Sequence, residues 1–352
     1  MNHEQTLKEL IELVIGEGGS DLHLSSSRKP SVRITGVLSI LEKYPEFTED
    51  DMKKFITVLT DDTRTKDFLE HRELDFAYNF DGKTRLRGNA FYHQGDIGIA
   101  LRLIPEVKKI QDLNLPEVLL QFTQRKQGFF LVVGPVGQGK TTTLASLIDA
   151  INESRGEHII TIEDPIEYVF KPKRSLIEQR EVRVDTEDFA SALKGVFRQD
   201  ANVIMIGEMR GPDTMAAAVT AAETGHLVFS TLHTNNASQT IDRIIDSFPA
   251  EQQNQIRAQL SNTLLGIFSQ RLIPRLSGGL IPAYELLINN GAVANLIREK
   301  RTHEIEIVIE TGSSQGMIDM NHSLAELVIK KEISIESARL HTLNQRALDQ
   351  LL

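Results

Sequence analysis

The chain lacks cysteine altogether among its 352 residues. That excludes disulfides and thiolate metal sites and fits a reducing cytoplasm. It also lacks any apolar run of the roughly 20 residues that a membrane span needs. Met1-Asn2-His3-Glu4-Gln5 opens without a basic region followed by an apolar stretch, so no secretory signal is expected. Basic residues are in deficit: 39 Lys and Arg face 49 Asp and Glu, a net charge of −10. This balance argues against sequence-independent binding to a nucleic-acid backbone as the main task. Internal repeats and low-complexity segments are missing too.

Hydrophobic residues make up 40% of a length that accommodates two domains. The most specific pattern is Gly134-Pro135-Val136-Gly137-Gln138-Gly139-Lys140-Thr141, which has the spacing G-x-x-x-x-G-K-T. An apolar run, Phe129 to Val133, precedes it and reads as a buried strand. Thr142-Thr143-Leu144-Ala145-Ser146-Leu147-Ile148 follows and reads as the start of a helix. In that context the pattern is a phosphate-binding loop. Its glycines let backbone N–H groups turn toward an anion, and the helix N-terminus adds positive partial charge. Lys140 is expected to reach the β- and γ-phosphates of a nucleoside triphosphate, and the Thr141 hydroxyl to hold Mg²⁺.

Ahead of the loop the pattern is mixed. Leu7, Leu10, Ile11 and Val14 have helical spacing, and Gly16-Glu17-Gly18-Gly19 ends that helix. Short strands are expected at 21–24 and 31–34. Thr48-Glu49-Asp50-Asp51 is a helix start, with two helices expected over 48–71. Strands follow at 75–80, 84–92 and 97–104, the first two joined at Asp81-Gly82. The polar, proline-bounded stretch 105–115 reads as a linker. Domains are therefore expected at 1–104 and 116–352. In the second, strands at 129–133, 158–162, 202–207 and 226–231 alternate with helices, as a parallel sheet requires. Pro212 and Gly225 bracket one of these helices. From about 275 to 352 the pattern reads as mostly helical.

Ligands of open α/β sheets collect at the carboxyl ends of strands. Ile159–Ile162 runs into Glu163, and Val203–Ile206 runs into Gly207-Glu208. Glu208 suits a Walker B acid beside Mg²⁺, and Glu163 suits the general base that polarises water. His226 and His233 flank an apolar strand. They are seven apart and so face opposite ways on a regular strand, which disfavours a shared metal. For each, a hydrogen-bonded structural role and a nucleotide-sensing role both stand. Over Thr84–Phe91, Arg85, Arg87 and Asn89 share one strand face. Two guanidinium groups there suit a phosphate clamp, or a solvated face with surface ion pairs.

Together these residues resemble the PilT family of type IV pilus retraction ATPases, in the type II/IV secretion ATPase superfamily. The resemblance runs through Gly18–Leu24, the Walker A loop, Thr161–Tyr168, Gln179–Val182, Gly207–Arg210, 225–235 and Asp242–Ile245. It implies a PAS-like N-terminal α/β domain and a RecA-like P-loop NTPase domain with a helical C-terminal part. It further implies a cytoplasmic homohexamer ring that hydrolyses ATP with Mg²⁺ and acts on an inner-membrane pilus platform protein. By the same resemblance, Gly134 to Thr142 and His226 bind nucleotide, Thr141 and Glu208 bind the metal, and Glu163, Glu208, Arg85, Arg87 and His233 serve catalysis. The short N-terminal region and the missing cysteines favour retraction over extension or secretion. Ala292–Glu299 resembles the family's AIRNLIRE motif, with Val293 for its first Ile and Ala294 for its first Arg. That change leaves a PilU-like accessory role open. Rival readings are a RecA-like nucleic-acid motor and a non-catalytic nucleotide-binding scaffold.

Overall fold

The computed structural model describes residues 2–34, 36–82 and 84–352. The chain divides into two compact units, Met1–Glu106 and Val107–Leu352. The first contains α1 (His3–Gly16), β1 (Gly19–Ser25), β2 (Ser31–Ile34), β3 (Val37–Ile40), α2 (Glu49–Leu59), α3 (Asp62–His71), β4 (Glu73–Phe80), β5 (Thr84–His93) and β6 (Asp96–Leu103). Among the described residues its strands form one antiparallel sheet in the order β3-β2-β1-β6-β5-β4. Alternation sorts the sheet's faces. Leu22, Leu24, Val32, Leu86, Ala90, Ile99 and Leu101 are buried with Leu7, Leu10, Ile11 and Val14 of α1 and Phe55 and Ile56 of α2. The helix start read at Thr48 is a capping box: Thr48 and Asp51 each bond the other's backbone N–H.

The second unit runs through α4 (Leu120–Thr123), β7 (Gly128–Val133), α5 (Lys140–Ser154), β8 (His158–Glu163), β9 (Leu176–Glu181), α6 (Phe189–Val196), β10 (Val203–Ile206), α7 (Pro212–Glu223), β11 (Leu227–Leu232), α8 (Ala237–Asp246), α9 (Ala250–Thr263), β12 (Leu264–Pro274) and β13 (Leu280–Ile288). It ends in α10 (Gly291–Arg298), α11 (Ile305–Thr311), α12 (Met320–Ile329), α13 (Ile335–His341) and α14 (Gln345–Leu351). The sheet order is β13-β12-β7-β11-β10-β8-β9, parallel except for β13 against β12. Both faces are covered, so β7 is buried throughout. Phe130 and Val132 pack with Leu144, Leu147 and Ile148 of α5. Phe129, Leu131 and Val133 pack on the opposite side with α7 and α8. This is a RecA-like arrangement, with the loop of interest leaving the end of a central strand. Among the described residues no helix is long and apolar enough to cross a membrane.

Two expectations need correction. The stretch 105–115 is not a free linker from Val107 onward: Ile110 and Leu115 are buried in the second unit's core. Its charged and amide residues hid two buried apolar anchors. The region from 275 also begins with a strand, β13, and turns helical only at Gly291. Pro282 disguised it, but β13 is an edge strand, where a missing N–H is tolerated.

Candidate functional site

The sheet brings three strand ends together. β7 ends at Val133 and the loop follows. The β8–β10 register pairs Ile162 with Ile206, which sets Glu163 level with Gly207 and beside Glu208. Thr231, at the end of β11, donates its hydroxyl to the Gly207 carbonyl at 2.6 Å and fixes that turn. A cavity of about 290 Å³ opens here, lined by the loop from Val136 to Thr142, by Glu163, Asp164, Pro165 and Glu167, and by Gly207, Glu208, Thr231 and His233. The loop glycines have local causes. Gly134 and Gly139 hold φ of 148° and 76°, in the region where side chains are strained.

Lys140 is the first residue of α5 and is buried. Its ammonium donates to the carbonyls of Gly134 and Pro135, each at 2.8 Å. The Nδ1 of His233 lies 3.2 Å away. Burial pushes the Lys140 pKa down, while Glu208 and Glu167 oppose that shift. The ammonium thus stands at the cavity wall with carboxylates nearby. Thr141 faces the same cavity, and the Thr142 hydroxyl meets the Tyr168 hydroxyl at 2.8 Å.

Glu163 is only 2% exposed. Thr161 and Gln179 are directly paired across β8 and β9, and both donate to Glu163 Oε1, at 2.7 and 3.1 Å. The Glu167 N–H reaches Oε2 at 3.4 Å. Burial nevertheless dominates and raises the carboxyl to about 7, with these donors pulling the other way. A carboxyl poised there can take a proton near neutrality. Glu208 differs. It pairs with Arg210, which also lies 3.7 Å from Asp164, and its Oε2 is 3.5 Å from His233 Nε2.

His233 therefore joins the loop and the Glu208 side of the cavity, but His226 does not. His226 precedes β11, at the opposite end of that strand from the cavity. Its Nδ1 contacts the Ala221 carbonyl at 3.0 Å, and its ring packs edge-on against Phe197. Within this chain the six residues of β11 stand between it and His233, so the two rings lie at opposite ends of the strand. In the first unit, Arg87 is exposed on β5, with Leu86 and Gly88 buried on the other face as alternation predicts. Arg102 on β6 stands directly opposite Arg87 and binds Asp21 at 2.8 Å. Arg85 lies two residues along the same strand, opposite Asn79.

Thr161, Glu167, Tyr168 and Gln179 lie in segments that carry the family resemblance, but motif spacing assigns none of them a role. The contact of Thr161 and Gln179 with Glu163 follows from the β8–β9 register. Glu167 has a simpler signal, four residues after Glu163 in a turn. The donors that line the cavity include a hydroxyl at Thr141 and a carboxylate at Glu208. Such hard oxygen ligands suit Mg²⁺, which shares its shell with phosphate and water.

Comparison with known proteins agrees with this geometry. The family model for Type II/IV secretion system protein matches residues 100–339. The type IV pilus retractation ATPase PilT of Pseudomonas aeruginosa is 41% identical over 334 residues, 95% of this chain and 97% of that one. The type IV pilus ATPase PilU of the same organism is 38% identical over 336 residues, 95% of this chain and 88% of that one. The crystal structure of the pilus retraction motor PilT with bound ADP matches with a TM-score of 0.91 at 44% identity, covering 97% of this chain and 98% of that one. The chain belongs to the type II/IV secretion ATPases and, within them, to the PilT family.

Proposed function

We propose that this ATPase drives retraction of type IV pili, as a cytoplasmic homohexamer acting on a platform protein in the inner membrane. The observation that carries the hydrolytic part is the convergence of Lys140, Thr141, Glu163 and Glu208 on one cavity. In this reading the loop N–H groups and Lys140 hold the β- and γ-phosphates, and Glu163 takes a proton from the attacking water. Thr141 and Glu208 would hold Mg²⁺, which when bound neutralises phosphate charge. His233, between Lys140 and Glu208, is placed to respond to the γ-phosphate. Arg85 and Arg87 are assigned to the phosphates as well, by family resemblance and by their shared strand face.

The pilus part rests on the relatives' described roles. A gene deletion tests it through counts of surface pili and through twitching. Retraction predicts many pili and no twitching; a deletion strain without pili would instead assign extension. A second reading, an accessory retraction ATPase, is favoured by Ala294 on α10, where the family motif carries arginine. In that case deletion leaves pilus disassembly running but weakens it under load.

A further inference from the structure

The phosphate-binding loop is backed by β12 along its length. The parallel β7–β12 ladder ends where Val133 meets Ser269. Immediately beyond, a Cβ on Gly134 would lie 2.4 Å from the Gln270 carbonyl oxygen. A Cβ on Gly139 would come within 3.0 Å of Gln270 Nε2. Both glycines therefore answer to the strand behind the loop as well as to the anion in front of it.

Past the end of the ladder, side chains continue the pairing. Gln138 Oε1 accepts the Leu272 N–H at 2.6 Å. Gln270 Nε2 donates to the Gln138 carbonyl at 2.8 Å, and Gln270 Oε1 accepts the Thr143 hydroxyl at 2.6 Å. Gln270 is 3% exposed and uses both ends of its amide. Losing either partner would strand a buried polar atom. Thus Gln138, whose position in the motif demands no particular side chain, uses its side-chain oxygen to hold the strand behind the loop.

We propose that Gln138 and Gln270 latch the loop to β12, and that this latch sets how long the nucleoside diphosphate product stays bound. The inference rests on the nucleotide-binding reading of the loop. A loop already held in its phosphate-binding shape loses less conformational freedom when the ligand arrives. Variants of one binding site differ mostly in dissociation rate. Gln138 is a positioning residue in this scheme, acting through the backbone it fixes. The strand that holds the loop is itself anchored further along: Arg271 donates to the His341 carbonyl, and Arg275 pairs with Glu332 at 2.6 Å.

The test uses Gln138→Met in the full chain, which keeps the length and removes the acceptor. Dissociation of a fluorescent ADP analogue, followed by stopped flow, should quicken about 2- to 10-fold, as expected for the loss of one hydrogen bond. KM should move more than kcat. Amide hydrogen exchange at Leu272, measured without nucleotide, should also quicken; a residue that only touched nucleotide would leave it unmoved. Combining Gln138→Met with Gln270→Met should give less than the sum of the two effects. Unchanged ADP dissociation overturns the latch, whether or not exchange at Leu272 changes. A native chain that neither binds ADP nor hydrolyses ATP would instead overturn the nucleotide reading.

Discussion

A carboxyl at the end of a buried strand can be a base or a metal-side acid, and its environment decides which. Glu163 is raised to about 7 because burial outweighs the bonds from Thr161, Gln179 and the Glu167 N–H. As a base it must be deprotonated, so kcat should fall as pH drops through about 7. Glu163→Gln should lower kcat about 10²- to 10⁴-fold while ADP still binds. Gln179 pulls that pKa down, so Gln179→Leu should move the acidic limb of the kcat–pH profile upward; a limb that stays put would remove Gln179 from the site. Glu208→Gln should keep ATP binding and lose turnover, and unchanged steady-state hydrolysis would sink its assignment. Glu163 and Glu208 were legible because each follows an apolar strand downstream of a glycine-rich loop. The contact of Gln179 with Glu163 was not, because its strand β9 is a polar edge with Leu176 exposed.

At the scale of elements, the strands that the sequence hid are those that hold the site from behind. β9 supports Glu163 and lacks the apolar run of β7, whereas β12 supports the loop with the polar stretch that follows its apolar start, Leu264–Phe268. β12 carries Ser269, Gln270 and Arg271, each committed to a neighbouring element through its side chain. β13 adds a buried carboxyl, Glu285, which accepts the Ala237 N–H at 2.7 Å at the start of α8. That bond fixes the helix following the His233 loop. Burial raises Glu285 to about 7 as well, above its ordinary value of 4.5. Its stabilising contribution is therefore complete below about 4.5 and is lost as pH rises through about 7. Glutamine keeps the acceptor and cannot ionise. Glu285→Gln should thus lose less stability than the native chain between pH 6 and 8.5, as denaturant midpoints at each pH would measure. Parallel pH curves would mean that Glu285 does not titrate in the folded protein. Glu163 contributes in the same direction, so part of the native slope should survive.

At the scale of the whole molecule, each unit has its own apolar core, and the residues assigned to one reaction are divided between them. The alternation of β5 made the arginine face readable, whereas Val107, Ile110, Leu113 and Leu115 are spread among charged and amide residues, which hid their packing against the second unit's core. Arg87 is exposed on β5 and takes no part in the first unit's apolar core. Arg87→Ala should therefore change stability by no more than about 0.5 kcal/mol, the usual limit for a surface substitution. If Arg87 acts on the transferring phosphoryl group, kcat should fall by one or more powers of ten, and ADP affinity should fall far less. Titration of the fluorescent ADP analogue and steady-state hydrolysis on the same preparation separate the two effects. Equal losses would make Arg87 a binding residue only. Native values for both would leave the second unit with a complete hydrolytic site of its own, and the first unit would then act on assembly or on the pilus rather than on chemistry.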